Sequence, residues 1–164
     1  MSNFNFINTD FPELYTDALE AEKLVFISPT STAVFCRSTF ENAVNWLYDH
    51  DAKLTRPWRS DLSTLIHDPS FCGLFNRTLF AELNLIRKTG NAAAHGTKIS
   101  EPEALACLKY LFRFLRFLAI YYGKSTPDTQ VFDEALIPRA LVQVPAPQQL
   151  INDLERKNKA AREA

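Results

Sequence analysis

From Phe11 to Tyr122 apolar residues return every three or four positions, with little of the strict alternation of a half-buried strand, and four glycines are all that the 164 residues contain. A chain patterned this way folds as helices, each burying one stripe against its neighbours. The breaks between them can be read as well. Asp10-Phe11-Pro12-Glu13 has the form of a capping box with Pro early in the first turn, opening a helix that buries Phe11, Leu14, Tyr15, Ala18 and Val25 and ends at Ser28-Pro29. Ser31 to His50 carry Ala33, Val34, Phe40, Ala43, Val44 and Leu47 on one helical face. Asp51 to Arg59 read as a loop. Asp61 to His67 read as a short helix stopped at Asp68-Pro69, because a residue ahead of Pro avoids the α region. From Pro69 the pattern gives a short helix and then a longer one, with Leu79, Phe80, Leu83 and Ile86 facing inward. Ser100-Glu101-Pro102-Glu103 is a second capping box, and Gly123 stands where a left-handed C-terminal residue belongs. The helix between them is the most apolar and is expected at the centre.

The expected fold is therefore all-α, a bundle of about five helices over residues 1–124. Ser125 to Pro147 hold four prolines and short apolar groups (Val131-Phe132, Ala135-Leu136-Ile137, Ala140-Leu141-Val142), the pattern of a linker running extended along the bundle surface. Residues 148–164 set Leu150, Ile151 and Leu154 among Asn, Asp, Glu, Lys and Arg, the start of a charged helix with a coiled-coil-like seam. That seam stops in mid-pattern, so the reading is of a fragment whose helix leads to a further domain.

Hydrophobic residues make up 46% and charged residues 23%, enough for a real core and too apolar for disorder. Thirteen Phe against one Met fill that core with rigid side chains. A net charge of −1 and a pI near 6.3 supply no global attraction to nucleic acid, so any such contact needs a local basic face. Cys36, Cys72 and Cys107 are far apart in apolar surroundings and form no CxxC pair; they read as buried thiols in a reducing compartment. Met1 to Phe6 lack the basic and apolar regions of a signal peptide, and Lys109, Arg113 and Arg116 interrupt the one candidate membrane stretch, Ala104 to Tyr122. The expectation is a cytoplasmic protein with no membrane partner.

The stretch Leu85-Ile86-Arg87-Lys88-Thr89-Gly90-Asn91-Ala92-Ala93-Ala94-His95-Gly96 carries the most chemistry. On a continuous helix Arg87, Asn91 and His95 fall at i, i+4 and i+8 and drift only about 80° around the axis, so all three can face one groove. An Arg to hold phosphate or carboxylate, an Asn to orient it and a His to move protons would make a hydrolytic cluster. The same trio can instead form a buried network that fixes an inter-helix angle, with Arg37 and Glu41, i and i+4 on the second helix, as partners for Arg87 and His95. Gly90 and the alanines beside it would let another helix approach closely. Two further groups could meet a phosphate backbone: the stripe Lys109, Arg113 and Arg116, and the loop residues Lys53, Arg56 and Arg59 around Trp58. The reading set against this, and favoured because Asp and Glu balance the charge elsewhere, is that each is a solvated face. Gly90 to Lys98 is no phosphate-binding loop, having Thr97 where Lys is required and a helix before it rather than a strand. Glu155-Arg156-Lys157 matches a nuclease E-x-K tail but lacks the strand and the upstream Asp. No metal ligand set stands out.

The pattern L-I-R-x-x-G-N-x-A-x-H over Leu85 to His95 resembles the hallmark of the helical domain at the start of type I restriction enzyme R subunits. Ser2 to Phe6, Arg37 to Tyr48, Leu62 to Phe71 and the Pro-rich strip leading into a charged helix resemble that domain too, so the resemblance spans most of the chain. The domain is in turn similar to the HEPN superfamily, helical bundles whose active members cleave RNA through an Arg-x4-6-His motif. Here seven residues separate Arg87 from His95, and Lys88 rather than Arg holds the six-residue spacing. The resemblance therefore implies an accessory module without catalysis of its own and without a cofactor. Its parent enzyme would be a type I site-specific deoxyribonuclease needing ATP and Mg2+. The partners implied are the rest of the R subunit, the methylation and specificity subunits and, through them, DNA. The alternative is a stand-alone HEPN-like ribonuclease or toxin using Arg87, Asn91 and His95.

Overall fold

The computed structural model describes residues 1–125, 131–139 and 147–163, and among them every regular element is helical and none is a strand. The helices are α1 (Pro12–Leu24), α2 (Pro29–His50), α3 (Leu62–His67), α4 (Pro69–Cys72), α5 (Arg77–Ala94), α6 (Glu101–Tyr122) and α7 (Pro147–Glu163), with short 3-10 turns at Asn5–Ile7 and Glu134–Leu136. Their boundaries follow from local chemistry. Asp61 caps α3 through Thr64 N, Asp68 caps α4 through Ser70 N, and Asn76 caps α5 through Leu79 N. At Ser100 the capping box is complete, the Ser hydroxyl accepting from Glu103 N and the Glu103 carboxylate from Ser100 N.

The central helix is α2, not the more apolar α6. It touches α1, α3, α5, α6 and α7. Small side chains permit this: Ser31, Thr32, Ala33, Cys36, Ser38, Thr39 and Ala43 are all buried, so neighbours can close in around the helix. Their hydroxyls are satisfied within the bundle, Thr32 donating to Ala21 O at 2.9 Å and Thr39 to Phe35 O at 2.8 Å. By contrast α6 keeps an outer face, with Ile120 and Tyr121 exposed. Between α2 and α6 the core is aromatic, Phe40 meeting Phe114 edge-on with centroids 5.0 Å apart.

Residues 131–139 lie on the bundle and include the Glu134–Leu136 turn. Asn3 fastens it: Nδ2 donates to Asp133 O at 3.0 Å, Asp133 N donates back to Asn3 Oδ1 at 2.7 Å, and the Asn3 N–H and Nδ2 both donate to the buried Glu22 carboxylate. Phe132 packs against Phe112, and Ile137 is buried. Ala140-Leu141-Val142 lie outside the described residues.

Two expectations are corrected. Asp10 does not cap α1; the N-cap is Phe11, without a side-chain cap bond, and the Asp10 carboxylate accepts from Ser125 N at 2.9 Å. A tertiary donor has replaced the local one. Gly123 is not left-handed: its φ of −77° and ψ of 156° are extended, and a Cβ there would meet Asp10 Oδ2 at 2.9 Å, so this glycine supplies room. The left-handed glycine is Gly96, with φ of 95°. The charged helix with its apolar seam forms as α7 and is seated on the bundle. Leu150, Ile151 and Leu154 of α7 are buried with the main core, and α7 packs on α2 and α5.

Candidate functional site

The motif stretch occupies the C-terminal half of α5 and the turn after it, and its residues divide by task. Gly90 sits at the crossing with α2. A Cβ there would lie 2.8 Å from Arg37 Cδ and 2.9 Å from Cγ, and closer still to Arg37 Cβ, so the arginine stem runs flat across the glycine. Ala93 is buried beside it. The expectation that small residues admit a close neighbour is met here, and the neighbour is α2.

Past Ala94 the helix stops. His95 is the C-cap, Gly96 takes the left-handed conformation, Thr97 N donates to Ala92 O at 2.9 Å and Gly96 N to Ala93 O at 3.2 Å. This is a Schellman closure, and the His-Gly pair marks a helix end. His95 is therefore solvent-exposed, while Arg87 and Asn91 are half-buried on the helix proper. His95 N still donates to Asn91 O at 3.0 Å, so the row of three runs to the very end of the helix, with its last member in solvent.

Arg87 has its partner close by: Nε and Nη2 both donate to Asn84 Oδ1, at 3.1 and 2.8 Å. The expected link from Glu41 to Arg87 and His95 is not what the carboxylate does. Glu41 instead takes Arg37 Nη1 at 3.4 Å, the i, i+4 pair legible in the sequence, and Arg162 Nη1 of α7 at 2.6 Å. The physical reason is the seating of α7, which brings a longer-range cation to the same acid. Charge and polar contact run along that seam: Lys157 pairs with the buried Asp17 at 2.8 Å, and buried Asn158 donates to Ser38 Oγ at 2.9 Å while accepting from Asn42 Nδ2 at 3.0 Å.

The proposed phosphate-contacting groups are largely occupied. Arg56 reaches back to Asp49 at 2.8 Å and to Asn45 Oδ1 at 3.0 Å, and Arg59 pairs with Asp61 at 3.2 Å. Lys53 is exposed on the same loop, and Trp58 projects from it at 94% exposure. On α6, Lys109 lies 4.0 Å from Glu134, Arg113 is clamped on Glu82 at 2.6 Å, and Arg116 lies over the Phe112 ring. Both groups are basic only in composition; at the surface most of their charge is matched.

Cys36 and Cys107 are buried, and burial raises both thiols, Cys107 to about 11, which removes them as nucleophiles near neutrality. Tyr122 donates to Asp51 Oδ2 at 2.7 Å; burial raises its phenol and the hydrogen bond lowers the Asp51 carboxyl. Among the described residues no group of three His, Cys, Asp or Glu could hold a metal, and no helix is long and apolar enough to cross a membrane. Glu155 and Arg156 point to solvent on α7, so the E-x-K run is a charged helix face.

Sequence reasoning missed Asp17, Asn158, Lys157 and Arg162. The available signal was Asn158, four positions after Leu154 and so on the apolar seam itself. No family model, curated protein or solved structure matches this chain.

Proposed function

We propose that this chain is a helical docking module from the N-terminal part of a type I restriction enzyme R subunit, and that it has no catalytic role of its own. ATP-driven translocation and DNA cleavage, with their Mg2+ and ATP, would belong to other parts of that subunit. One observation supports the reading above others: the residues that carry the resemblance serve architecture. Gly90 seats Arg37, Arg87 holds Asn84, and His95-Gly96 closes α5. General acid–base chemistry needs a nucleophile, base and orienting group within hydrogen-bond reach, and His95 stands exposed at the helix end instead. Protein partners fit better than DNA, because Arg56, Arg59, Lys109 and Arg113 already have carboxylates.

An antibody raised against the chain tests this on the native source. The expected band is several times heavier than 18.7 kDa and co-precipitates methylation and specificity subunits. A native product at the chain's own mass would overturn the proposal. In that case single-stranded RNA, offered to the chain with and without His95→Ala, decides whether Arg87, Asn91 and His95 cleave it.

A further inference from the structure

We propose that the outer face of α5, from Asn84 to His95, is where a partner protein docks, through a helix that presents a row of acids. The docking role is the premise, to which this face adds the place of contact and the chemistry of the partner. Between Glu82 and Glu101 the sequence has no Asp or Glu, while Arg87, Lys88, His95 and Lys98 all fall in that stretch. Helix geometry gathers most of them: Arg87, Asn91, Asn84, His95 and Lys88 lie within about 100° of the α5 circumference, along roughly 16 Å of its length. The buried stripe Leu83, Ile86, Gly90 and Ala93 is turned to the core, and Glu82 reaches Arg113 of α6. The face between Asn84 and His95 is left open, with Lys88 and His95 exposed and Asn84, Arg87 and Asn91 half-buried.

Among the described residues none of these cations has a carboxylate partner. Arg87 spends Nε and Nη2 on the neutral Asn84 amide, and Lys88, His95 and Lys98 form no ion pair. The loop and α6 cations differ, since Arg56, Arg59, Lys109 and Arg113 each meet an acid. Unbalanced positive charge therefore meets solvent along α5. Its complement is a set of acids repeating once per turn, as Asp or Glu do at i, i+4 and i+8 of a second helix. Two observations favour a protein over a phosphate backbone. Next around the helix from Lys88 come Ala92 and Leu85, the latter 46% exposed, an apolar edge that an amphipathic helix covers and a sugar-phosphate strand leaves wet. Only Arg87, Lys88 and Lys98 carry a fixed charge here, few for a polyanion whose binding grows with the phosphates neutralised. A second copy of this face would be repelled. On the opposite edge Glu155 of α7 stands beside Gly90 and Ala94, so an acidic helix is steered toward the Leu85 side.

The test titrates the full chain with a helical peptide carrying Glu at i, i+4 and i+8 with Leu beside them, followed by NMR. The expected result is a saturable shift of Arg87 Hε and of the Asn84 and Asn91 side-chain amides. It should weaken with salt and vanish for the peptide with Gln in place of Glu. Lys88→Glu, at an exposed position, should weaken binding about tenfold, and Leu85→Ala about threefold. No saturable shift overturns the proposal. So does a single-stranded oligonucleotide that shifts the same resonances more strongly than the peptide, which would make the face a nucleic-acid surface. With the chain as bait on its native source, capture of methylation and specificity subunits by the unaltered chain but not by Lys88→Glu supports the proposal. Equal capture by both keeps the docking role and overturns this face; capture by neither removes the docking role itself.

Discussion

Helix α2 is held on two flanks by opposite means. Against α5 the contact is apolar and close, with Gly90 under the Arg37 stem and Ile86 and Ala93 buried nearby. Against α7 it is polar and addressed, through the Asn158 bridge to Ser38 and Asn42 and the pair Arg162–Glu41, while Lys157 ties α7 to Asp17 of α1. Apolar burial scales with area and is indifferent to register, whereas a buried amide with two partners accepts one register only. The α5 flank thus supplies stability, and the α7 flank specifies where a mostly charged helix sits.

The sharpest way to break this comparison is Ile86→Ala, which leaves a cavity in the apolar flank and should cost about 3–4 kcal/mol of global stability in urea melts. Gly90→Ala should cost about 2–3 kcal/mol by overpacking, and adding Arg37→Gly should recover part of it, a coupling that two unrelated sites would not give. Asn158→Ala strips partners from Ser38 and Asn42 and should cost about 1–2 kcal/mol. Hydrogen exchange should place that loss in α7; equal acceleration in α5 would refute the division of labour. Raising salt should loosen α7 by less than about 1 kcal/mol, because the Lys157 and Arg162 ends of its ion pairs are partly exposed, and should leave the α5 flank unmoved.

The last expectation concerns pH. The buried Cys36 and Cys107 thiols keep protons that unfolded thiols release, so stability is fully present below their ordinary value of 9.0. It should then fall with rising pH, through about 11 for Cys107. Nothing should change near neutrality, and the fall in urea midpoint between pH 8 and 10 should be smaller in the Cys36→Ala, Cys107→Ala double variant. An identical fall would show that other groups carry it.

Much of the bundle was legible because its signals are local. The Ser100 box, the stop at Asp68-Pro69, the periodic faces of α2 and α5 and the Arg37–Glu41 pair all depend on residues within a turn or two of each other. What was not legible depends on partners far along the chain. Asp10 looks like a cap until Ser125 competes for it, and Glu41 looks free for Arg87 until α7 delivers Arg162. The centrality of α2 was hidden because hydrophobicity favoured α6; it is small side chains, not apolar ones, that let several helices crowd one axis. At the candidate site, Gly90 was recognisable as a close-approach residue, whereas the helix end at His95 was overlooked although Gly96 supplied the C-terminal glycine signal, because the alanines before it favour continuing the helix.

The Asn158–Ser38 contact also dictates an order of events during synthesis. Its residues are 120 positions apart, so at about 5–20 residues per second a ribosome delivers Asn158 roughly 6–24 s after Ser38. Throughout that interval the nascent bundle can close its α1 and α5 contacts while the polar flank of α2 stays open. The last of the described helices to be made is the one that closes the packing around α2.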